Sequence, residues 1–447
     1  MSRYVPHTPR EVQEMLAAIG ARDVADLFAD LPAAIRQEGP IALPAGVSEP
    51  EAMRQMGDLA EMNGTTDDLV CFLGGGAYDH HIPAVVPHLV GRGEFVTCYT
   101  PYQPEVSQGT LQVIYEFQSL ICALTGMDQA NASMYDGATA LAEAALIAVS
   151  QTGRKKLAVS EAVHPEYRDV LATTVQHFGV KLVILPCEDG LTDMGELQKC
   201  VDDTVAGVVV GYPNHFGCIE DLEAICQRAR AVQALTVVAA YPTALGLLKP
   251  PGALGADIVC GEGQPLGIPL SFGGPYLGYL AARECYLRKM PGRIAGRTVD
   301  CRGQGGFVLT LQTREQHIRR EKATSNICSN EALLALTATV YLASLGQTGL
   351  QAVARQCTQK AHHLKRRLCE IPGVEAPFTA PFFNEFVLRL PKAKAVLKDL
   401  ARRGVLGGIA LENRFPALKD CILVAVTEKR SAEEISLYVD LLKGMLA

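Results

Sequence analysis

The chain has 447 residues, a length that predicts two or three domains around a sizeable core. Apolar residues make up 48% and charged residues 20% of the sequence, a balance that excludes a largely disordered chain. The formal charge of −7 and the absence of Trp argue against nucleic acid or an anionic membrane as a partner.

The first 63 residues predict an N-terminal helical arm. Thr8 has the features of an N-cap, Glu11 stands at the capping-box position, and Gly20 ends the helix. A proline-containing connector then leads to a second predicted helix over 51–63.

Residues 64–325 predict a large α/β domain, in which helices alternate with apolar strands. The predicted strands cover 156–160, 180–185, 205–210, 235–240, 256–260 and 276–282. Continuous apolar strands between helices indicate a mostly parallel sheet that is covered on both faces. Such sheets bind ligands beyond the carboxyl ends of their strands.

Residues 326–447 predict a small C-terminal α+β domain. Its predicted helices cover 330–345, 350–370, 393–404 and 431–447, and its predicted strands cover 386–390 and 422–426. No repeat of 20 to 50 residues is present. We predict no membrane-spanning segment.

Four segments carry candidate chemistry, and each also has a structural interpretation. Residues 97–105 combine prolines with hydroxyl, amide and aromatic side chains, as a buried connector or a site-lining loop would. Residues 135–140 contain the start of a helix whose free N–H groups suit a phosphate. The glycine-rich segment 261–275 follows a predicted strand, and the basic segment 319–328 could clamp an anion or link two domains.

The cysteines and histidines give weaker signals. The 14 cysteines are scattered, without a C-x-x-C pair or zinc-like spacing, so we interpret them as reduced thiols and predict no metal site. His164 precedes a predicted helix and His215 follows a predicted strand. Either could be catalytic at a sheet edge, although each taken alone is typical of a structural histidine.

Taken together, four stretches resemble the P-protein family of the glycine cleavage system. They are 100–103 with 108–109, 250–252 with 255–258, 267–275, and 320–328. Their order and spacing match across nearly the whole chain. The length is about half that of the single-chain form, and the chain is most similar to the first, N-terminal-half subunit of the two-subunit form.

The resemblance implies the fold-type I architecture of pyridoxal-phosphate enzymes, with a large, mostly parallel sheet domain and a small C-terminal α+β domain. It implies decarboxylation of glycine by a heterodimeric glycine dehydrogenase in the cytoplasm, with pyridoxal phosphate as the electron sink. The remaining methylamine group passes to the lipoyl arm of the H-protein. The implied partners are a homologous second subunit, the lipoylated H-protein and glycine.

Two groups that this chemistry needs are missing from the sequence. Alignment on Ile268-Pro269 places Gln264 where the resemblance implies the Schiff-base lysine, and Tyr241 stands where a carboxylate should meet the ring nitrogen. Lys249 and Lys322 are the nearest other lysines, and both fit poorly. We therefore assign no catalytic and no cofactor-binding residue to this chain, and expect the pyridoxal phosphate on the second subunit.

Fold-type I enzymes share their active sites across a dimer interface, so the resemblance implies that this chain contributes to its partner's substrate pocket. The candidate residues carry hydroxyl, amide and guanidinium groups suited to a small carboxylate: Tyr99, Thr100, Tyr102, Gln103, Arg320 and Asn326. Two alternatives stay open at this point. One is a non-catalytic structural partner, and the other is a stand-alone pyridoxal-phosphate aminotransferase or lyase, against which Gln264 counts.

Overall fold

The computed structural model describes residues 6–37, 39, 41–323 and 325–446. Thr324, part of the family-like stretch 320–328, lies outside the described residues. The chain divides into two compact units, Met1–Gly64 and Thr65–Ala447. The further division at residue 325 stays a prediction.

The first unit contains α1 (Pro9–Ala18) and α2 (Glu49–Ala60). The capping box predicted at Thr8 is confirmed, because its hydroxyl accepts the Glu11 N–H while the Glu11 carboxylate accepts the Thr8 N–H. Helix α2 has no buried side chain, and the exposed apolar residues of this unit include Ile35, Met53 and Met62.

The second unit alternates strands and helices. Its helices are α3 (Val85–Val90), α4 (Gly93–Val96), α5 (Gln108–Thr125), α6 (Gly137–Thr152), α7 (Pro165–Val175), α8 (Met194–Cys200), α9 (Leu222–Ala231), α10 (Gln316–Arg319), α11 (Ala332–Cys369), α12 (Ala393–Arg402) and α13 (Ala432–Leu446). Its strands are β1 (Val70–Cys71), β2 (Gln129–Ala130), β3 (Lys156–Ser160), β4 (Lys181–Leu185), β5 (Cys187–Glu188), β6 (Leu191–Thr192), β7 (Gly207–Tyr212), β8 (Leu235–Ala240), β9 (Ile258–Glu262), β10 (Gly278–Ala282), β11 (Ile294–Val299), β12 (Gly305–Thr310), β13 (Glu385–Arg389), β14 (Val405–Leu406), β15 (Ile409–Ala410) and β16 (Cys421–Ala425).

A seven-stranded sheet forms the centre of this unit, in the order β2-β10-β9-β8-β7-β3-β4. Strands β4, β3, β7, β8 and β9 are parallel to one another, as the apolar strand pattern predicts. Strand β10 runs antiparallel to both of its neighbours. All five parallel strands therefore end at one edge of the sheet.

Both faces of the sheet are covered, which explains why its inner strands are mostly apolar on both sides. In β7, Val208 and Val210 pack on one face, with residues of α5, α9 and α11, while Val209 packs on the other, with α6 and α7. Each fully buried side chain of this size stabilises the fold by about 1.5–3 kcal/mol. This double cover leaves the ends of the strands as the accessible part of the sheet.

The C-terminal part of the unit has a separate small sheet, in the antiparallel order β13-β16-β15. The second half of α11 packs against it, together with α12 and α13. Helix α11 covers both helices that the sequence predicts over 330–345 and 350–370, and non-helical backbone at Gly346 marks the break between them.

Helix α11 is the one helix among the described residues that is long and apolar enough to cross a membrane. Leu336, Ala338 and Tyr341 of this helix are buried in the protein core. We therefore interpret α11 as a core helix.

The predictions from the sequence missed α5 and the hairpin β11–β12. Helix α5 contacts β2, α11 and the hairpin. Its buried residues Leu111, Ile114, Ile121 and Thr125 recur at spacings of three, four and seven, so the helical pattern is present in the sequence. The antiparallel hairpin has one half-exposed strand and short, glycine-containing sequences, so its alternation is weak.

Candidate functional site

A small cavity of about 70 Å³ lies at the carboxyl ends of β7, β8 and β9. This is the edge at which parallel sheets bind ligands. Its walls come from the loops after these strands, from the loop before α3 and from β13, and include Tyr78, His164, Tyr167, Asn214, His215, Tyr241, Glu262 and Glu385.

Gln264, at the position where the resemblance implies a lysine, fastens two loops together. Its side-chain oxygen accepts the Tyr78 N–H at 2.9 Å, and its amide nitrogen donates to the backbone oxygens of Tyr78 at 3.0 Å and Ile268 at 2.8 Å. The side chain is 1% exposed. The side-chain oxygen and both N–H groups of Gln264 are therefore hydrogen-bonded to the backbone, and none of these bonds is made to a group in the cavity.

Tyr241, at the position expected for the ring-nitrogen carboxylate, is stacked on Tyr78 with ring centres 4.4 Å apart. Its hydroxyl lies 2.5 Å from His80 Nε2, and His80 Nδ1 lies 2.6 Å from Glu428 Oε2. Burial raises the pKa of Glu428, but the hydrogen bond and charge of His80 outweigh it and lower that pKa to about 2.

The Cys357 thiol joins this network, 3.4 Å from Glu428 Oε2. His80, Cys357 and Glu428 are of the right types to hold a metal ion, and their ligand atoms lie within 4.8 Å of one another. Hydrogen bonds already account for the position of each group, so we interpret the cluster as a buried polar network.

Glu262, the last residue of β9, lies against the first turn of α6. Its Oε2 accepts the Gly137 N–H at 3.0 Å, and its Oε1 accepts the N–H groups of Gln264 and Leu277 at 3.0 Å each. Burial is the main cause that raises the pKa of Glu262 to about 7. Gly137 is required here because a methyl group at this position would collide with the Tyr167 hydroxyl.

The opposite wall of the cavity carries a second buried carboxylate and two histidines. Glu385 accepts the Gly75 N–H at 2.7 Å and the Tyr78 hydroxyl at 2.8 Å, and burial raises its pKa to about 7. The structure brings His164 and His215 together, with ring centres 4.8 Å apart. Burial lowers the pKa of both imidazoles, so they are neutral bases at the cavity wall.

The predicted partner-facing residues lie elsewhere on the surface of the second unit. Tyr99 is 92% exposed, Thr100 is half-buried, and the exposed residues Gln103, Arg320 and Asn326 complete the set together with Tyr102. Among the described residues, no hydrogen bond joins the segment 99–103 to Arg320 or Asn326.

Tyr102 is the anchored residue of this loop. The Arg293 guanidinium lies 5.5 Å from the centre of its ring, and His317 meets the ring edge at 5.8 Å. Arg293 is itself buried, with its Nε 4.0 Å from a carboxylate oxygen of the buried Glu315. Buried charges thus support the base of a loop whose tip, at Tyr99, faces solvent.

The cavity does not fit pyridoxal phosphate. No lysine of the described residues lines it, and Gln264 cannot form a Schiff base. The stacked rings of Tyr78 and Tyr241 form part of its wall, where Tyr241 and not a carboxylate stands for a ring nitrogen, and the Glu262 carboxyl group already occupies the helix N-terminus that suits a phosphate. A volume of about 70 Å³ is far below the roughly 300–1,000 Å³ of ordinary small-molecule sites.

The Glu385→Gln variant is expected to lose part of the pH dependence of stability. The folded-state pKa of about 7 exceeds the ordinary value of 4.5, so the folded chain keeps a proton that the unfolded chain releases. The free energy of unfolding therefore falls as pH rises from 4.5 to 7, by up to about 3 kcal/mol. An amide at residue 385 carries no such proton, and the Tyr78 hydroxyl can rotate to accept from it.

Denaturant unfolding at several pH values between about 4 and 8 measures this difference. The exposed Glu188→Gln variant is the control and should follow the parent chain. Parallel curves for Glu385→Gln and the parent would contradict the assignment.

Comparison with known proteins agrees with this architecture. A family model described as the glycine cleavage system P-protein matches residues 2–442. A probable glycine dehydrogenase (decarboxylating) subunit 1 from Desulforamulus reducens is 52% identical over 436 residues, which cover 97% of this chain and 98% of the relative. The protein of the same description from Moorella thermoacetica is 52% identical over 445 residues, covering 99% and 100%.

Solved structures give the same result. A crystal structure of glycine decarboxylase (P-protein) of the glycine cleavage system, in inhibitor-bound form, has a TM-score of 0.91 at 47% identity and covers 100% of both chains. Sphingosine-1-phosphate lyase from Burkholderia pseudomallei has a TM-score of 0.67 at 16% identity, over 93% of this chain and 94% of the lyase, and shares the fold alone.

These findings confirm the predicted fold-type I class and do not favour a stand-alone aminotransferase or lyase, or a purely structural partner. The chain therefore belongs to the glycine cleavage system P-protein family, as a subunit of the decarboxylating glycine dehydrogenase.

Proposed function

We propose that this chain is the cofactor-free half of a heteromeric, cytoplasmic glycine dehydrogenase. A homologous second subunit carries the Schiff-base lysine and the pyridoxal phosphate. The single observation that carries this proposal is Gln264, a buried amide tied to the Tyr78 backbone at the position where a lysine would have to stand. The relatives' designation as subunit 1 supports a second subunit as partner.

The contribution of this chain is a set of substrate-binding groups. Glycine is small, so its carboxylate must be held by a few well-placed donors. The loop 99–103 offers an exposed phenol at Tyr99, a hydroxyl at Thr100 and an amide at Gln103. Arg320 and Asn326 are exposed donors that could reach the same partner pocket. In this proposal the enzyme releases CO₂ and transfers the methylamine group to the lipoylated H-protein.

The anchored Tyr102 gives the loop a fixed base. Since Arg293 lies over its ring and His317 against its edge, the loop enters the interface already positioned. Pre-positioned donors lose less entropy on binding substrate than mobile ones do.

Reconstitution tests the proposal directly. Each purified subunit is mixed with pyridoxal phosphate and dialysed, and the retained cofactor and glycine-dependent CO₂ release with lipoylated H-protein are measured. This chain alone is expected to retain no cofactor and to release CO₂ at least about 10³-fold more slowly than the pair, because it lacks the nucleophile.

Lysine variants are the matched controls for this experiment. Lys249→Ala and Lys322→Ala should leave the cofactor content of the pair unchanged, since neither lysine lines the cavity. Stoichiometric cofactor on this chain alone, or its loss in either variant, would overturn the proposal.

A further inference from the structure

The first turn of α6 has the features of an anion cradle, and the carboxyl group of Glu262 already lies in it. A helix N-terminus offers free N–H groups and a partial positive charge, and α6 is 16 residues long. The Glu262 carboxylate, which comes from a strand 125 residues further along the chain, accepts the Gly137 N–H at 3.0 Å. This contact crosses from one element to another, unlike an ordinary cap.

Two other backbone N–H groups of this turn are used within the helix start. The Asp136 side chain accepts the Thr139 N–H at 2.7 Å, and the Asp136 backbone oxygen accepts the Ala140 N–H. The second oxygen of Glu262 takes two further N–H groups, from Gln264 and Leu277. One carboxylate is thus held by three backbone donors, as an oxyanion ligand would be.

We propose that Glu262 is a built-in substitute for a phosphate group, and that it excludes phosphate-bearing molecules from the cavity of this chain. If Glu262 is removed, we expect the first turn of α6 to bind a phosphate monoester or inorganic phosphate. The inference deepens the proposed function, because it gives the reason why a cofactor with a phosphate group belongs to the partner. The inference depends on how the end of β9 contacts the start of α6, and not on glycine decarboxylation itself.

Removal of the carboxylate tests the proposal, with inorganic phosphate as the probe. Glu262→Ala frees three backbone donors, whereas Glu262→Gln keeps a side chain of the same size, with an acceptor oxygen, in the cradle. Equilibrium dialysis of the full chain against labelled phosphate is expected to show at least about tenfold tighter binding in Glu262→Ala than in the parent, and no gain in Glu262→Gln.

Thermal unfolding gives a second measurement. Phosphate should raise the Tm of Glu262→Ala more than that of the parent, since a ligand stabilises only a fold that binds it. Glu385→Gln is the matched control, because Glu385 lines the same cavity but accepts its hydrogen bonds from Gly75 and Tyr78. It should gain no phosphate affinity.

The proposal is overturned if Glu262→Ala binds phosphate no more tightly than the parent, or if Glu385→Gln gains the same affinity. Glu262→Ser, which also shortens the side chain and empties the cradle, keeps the test decisive if the Ala variant does not fold. If the phosphate experiment fails, the predicted glycine turnover of the reconstituted pair is unaffected. If the parent chain retains pyridoxal phosphate, the proposed function is overturned instead.

Discussion

Gln264→Lys is expected to lower the free energy of unfolding by about 3–5 kcal/mol and to create no cofactor site. The substitution removes the acceptor of the buried Tyr78 N–H and the amide group that donates to the Tyr78 and Ile268 backbone oxygens. It also introduces a buried ammonium group at a side-chain position whose present hydrogen-bond partners are all backbone groups, none of them a carboxylate. Denaturant unfolding measures the loss, and absorbance of the dialysed protein with pyridoxal phosphate measures binding.

The control for this variant is Gln176→Lys, at an exposed position just after α7. It makes the same chemical change in water and should alter stability by less than about 0.5 kcal/mol. A stable Gln264→Lys protein that binds the cofactor would show that a single side chain separates this chain from a catalytic one. That result would contradict the role we assign to Tyr241 and Glu262 in the wall of the cavity.

Gln103→Ala is expected to lower kcat/KM for glycine about 10- to 100-fold in the reconstituted pair. This range corresponds to the loss of one or two hydrogen bonds to a charged substrate, about 1.4–2.8 kcal/mol. Tyr102→Phe should cost less, because its ring contacts with Arg293 and His317 remain. The measurement is glycine-dependent CO₂ release at several glycine concentrations.

Gln112→Ala, an exposed glutamine on α5, is the matched control for the loop. Its turnover should equal that of the parent pair, and co-purification of each variant with the second subunit checks that the complex still forms. Unchanged turnover in both loop variants would assign this chain a purely structural role and contradict the substrate-binding part of the proposal.

Most of the fold was predictable because its strands carry a local signal. The predicted strands at 156–160 and 235–240 agree with β3 and β8, and the others agree to within about two residues. The antiparallel direction of β10 was not predictable, since a buried strand has the same apolar pattern in either direction. Helix α5 was missed although its buried residues do recur at helical spacing, so in this case the signal was present in the sequence.

The candidate site was predictable in part. Segments 135–140 and 261–275 were identified as possible anion sites by their glycines and their place in the chain, and the structure joins them through Glu262 and Gly137. Nothing in the sequence singled out Glu262 among the acidic residues. The same holds for Glu385, which reaches the cavity from the C-terminal part of the chain.

By itself the sequence determined the class of fold, the membership in a glycine-cleaving family and the absence of a lysine at residue 264, because these depend on local patterns and on residue identity. Only the tertiary structure decided how the cavity is closed. Three contacts join residues more than a hundred positions apart: the Tyr78–Tyr241 stack, the hydrogen bond of Gln264 with Tyr78, and the hydrogen bond of Glu262 with Gly137. Such contacts leave no local pattern, since chain folding alone brings their partners together.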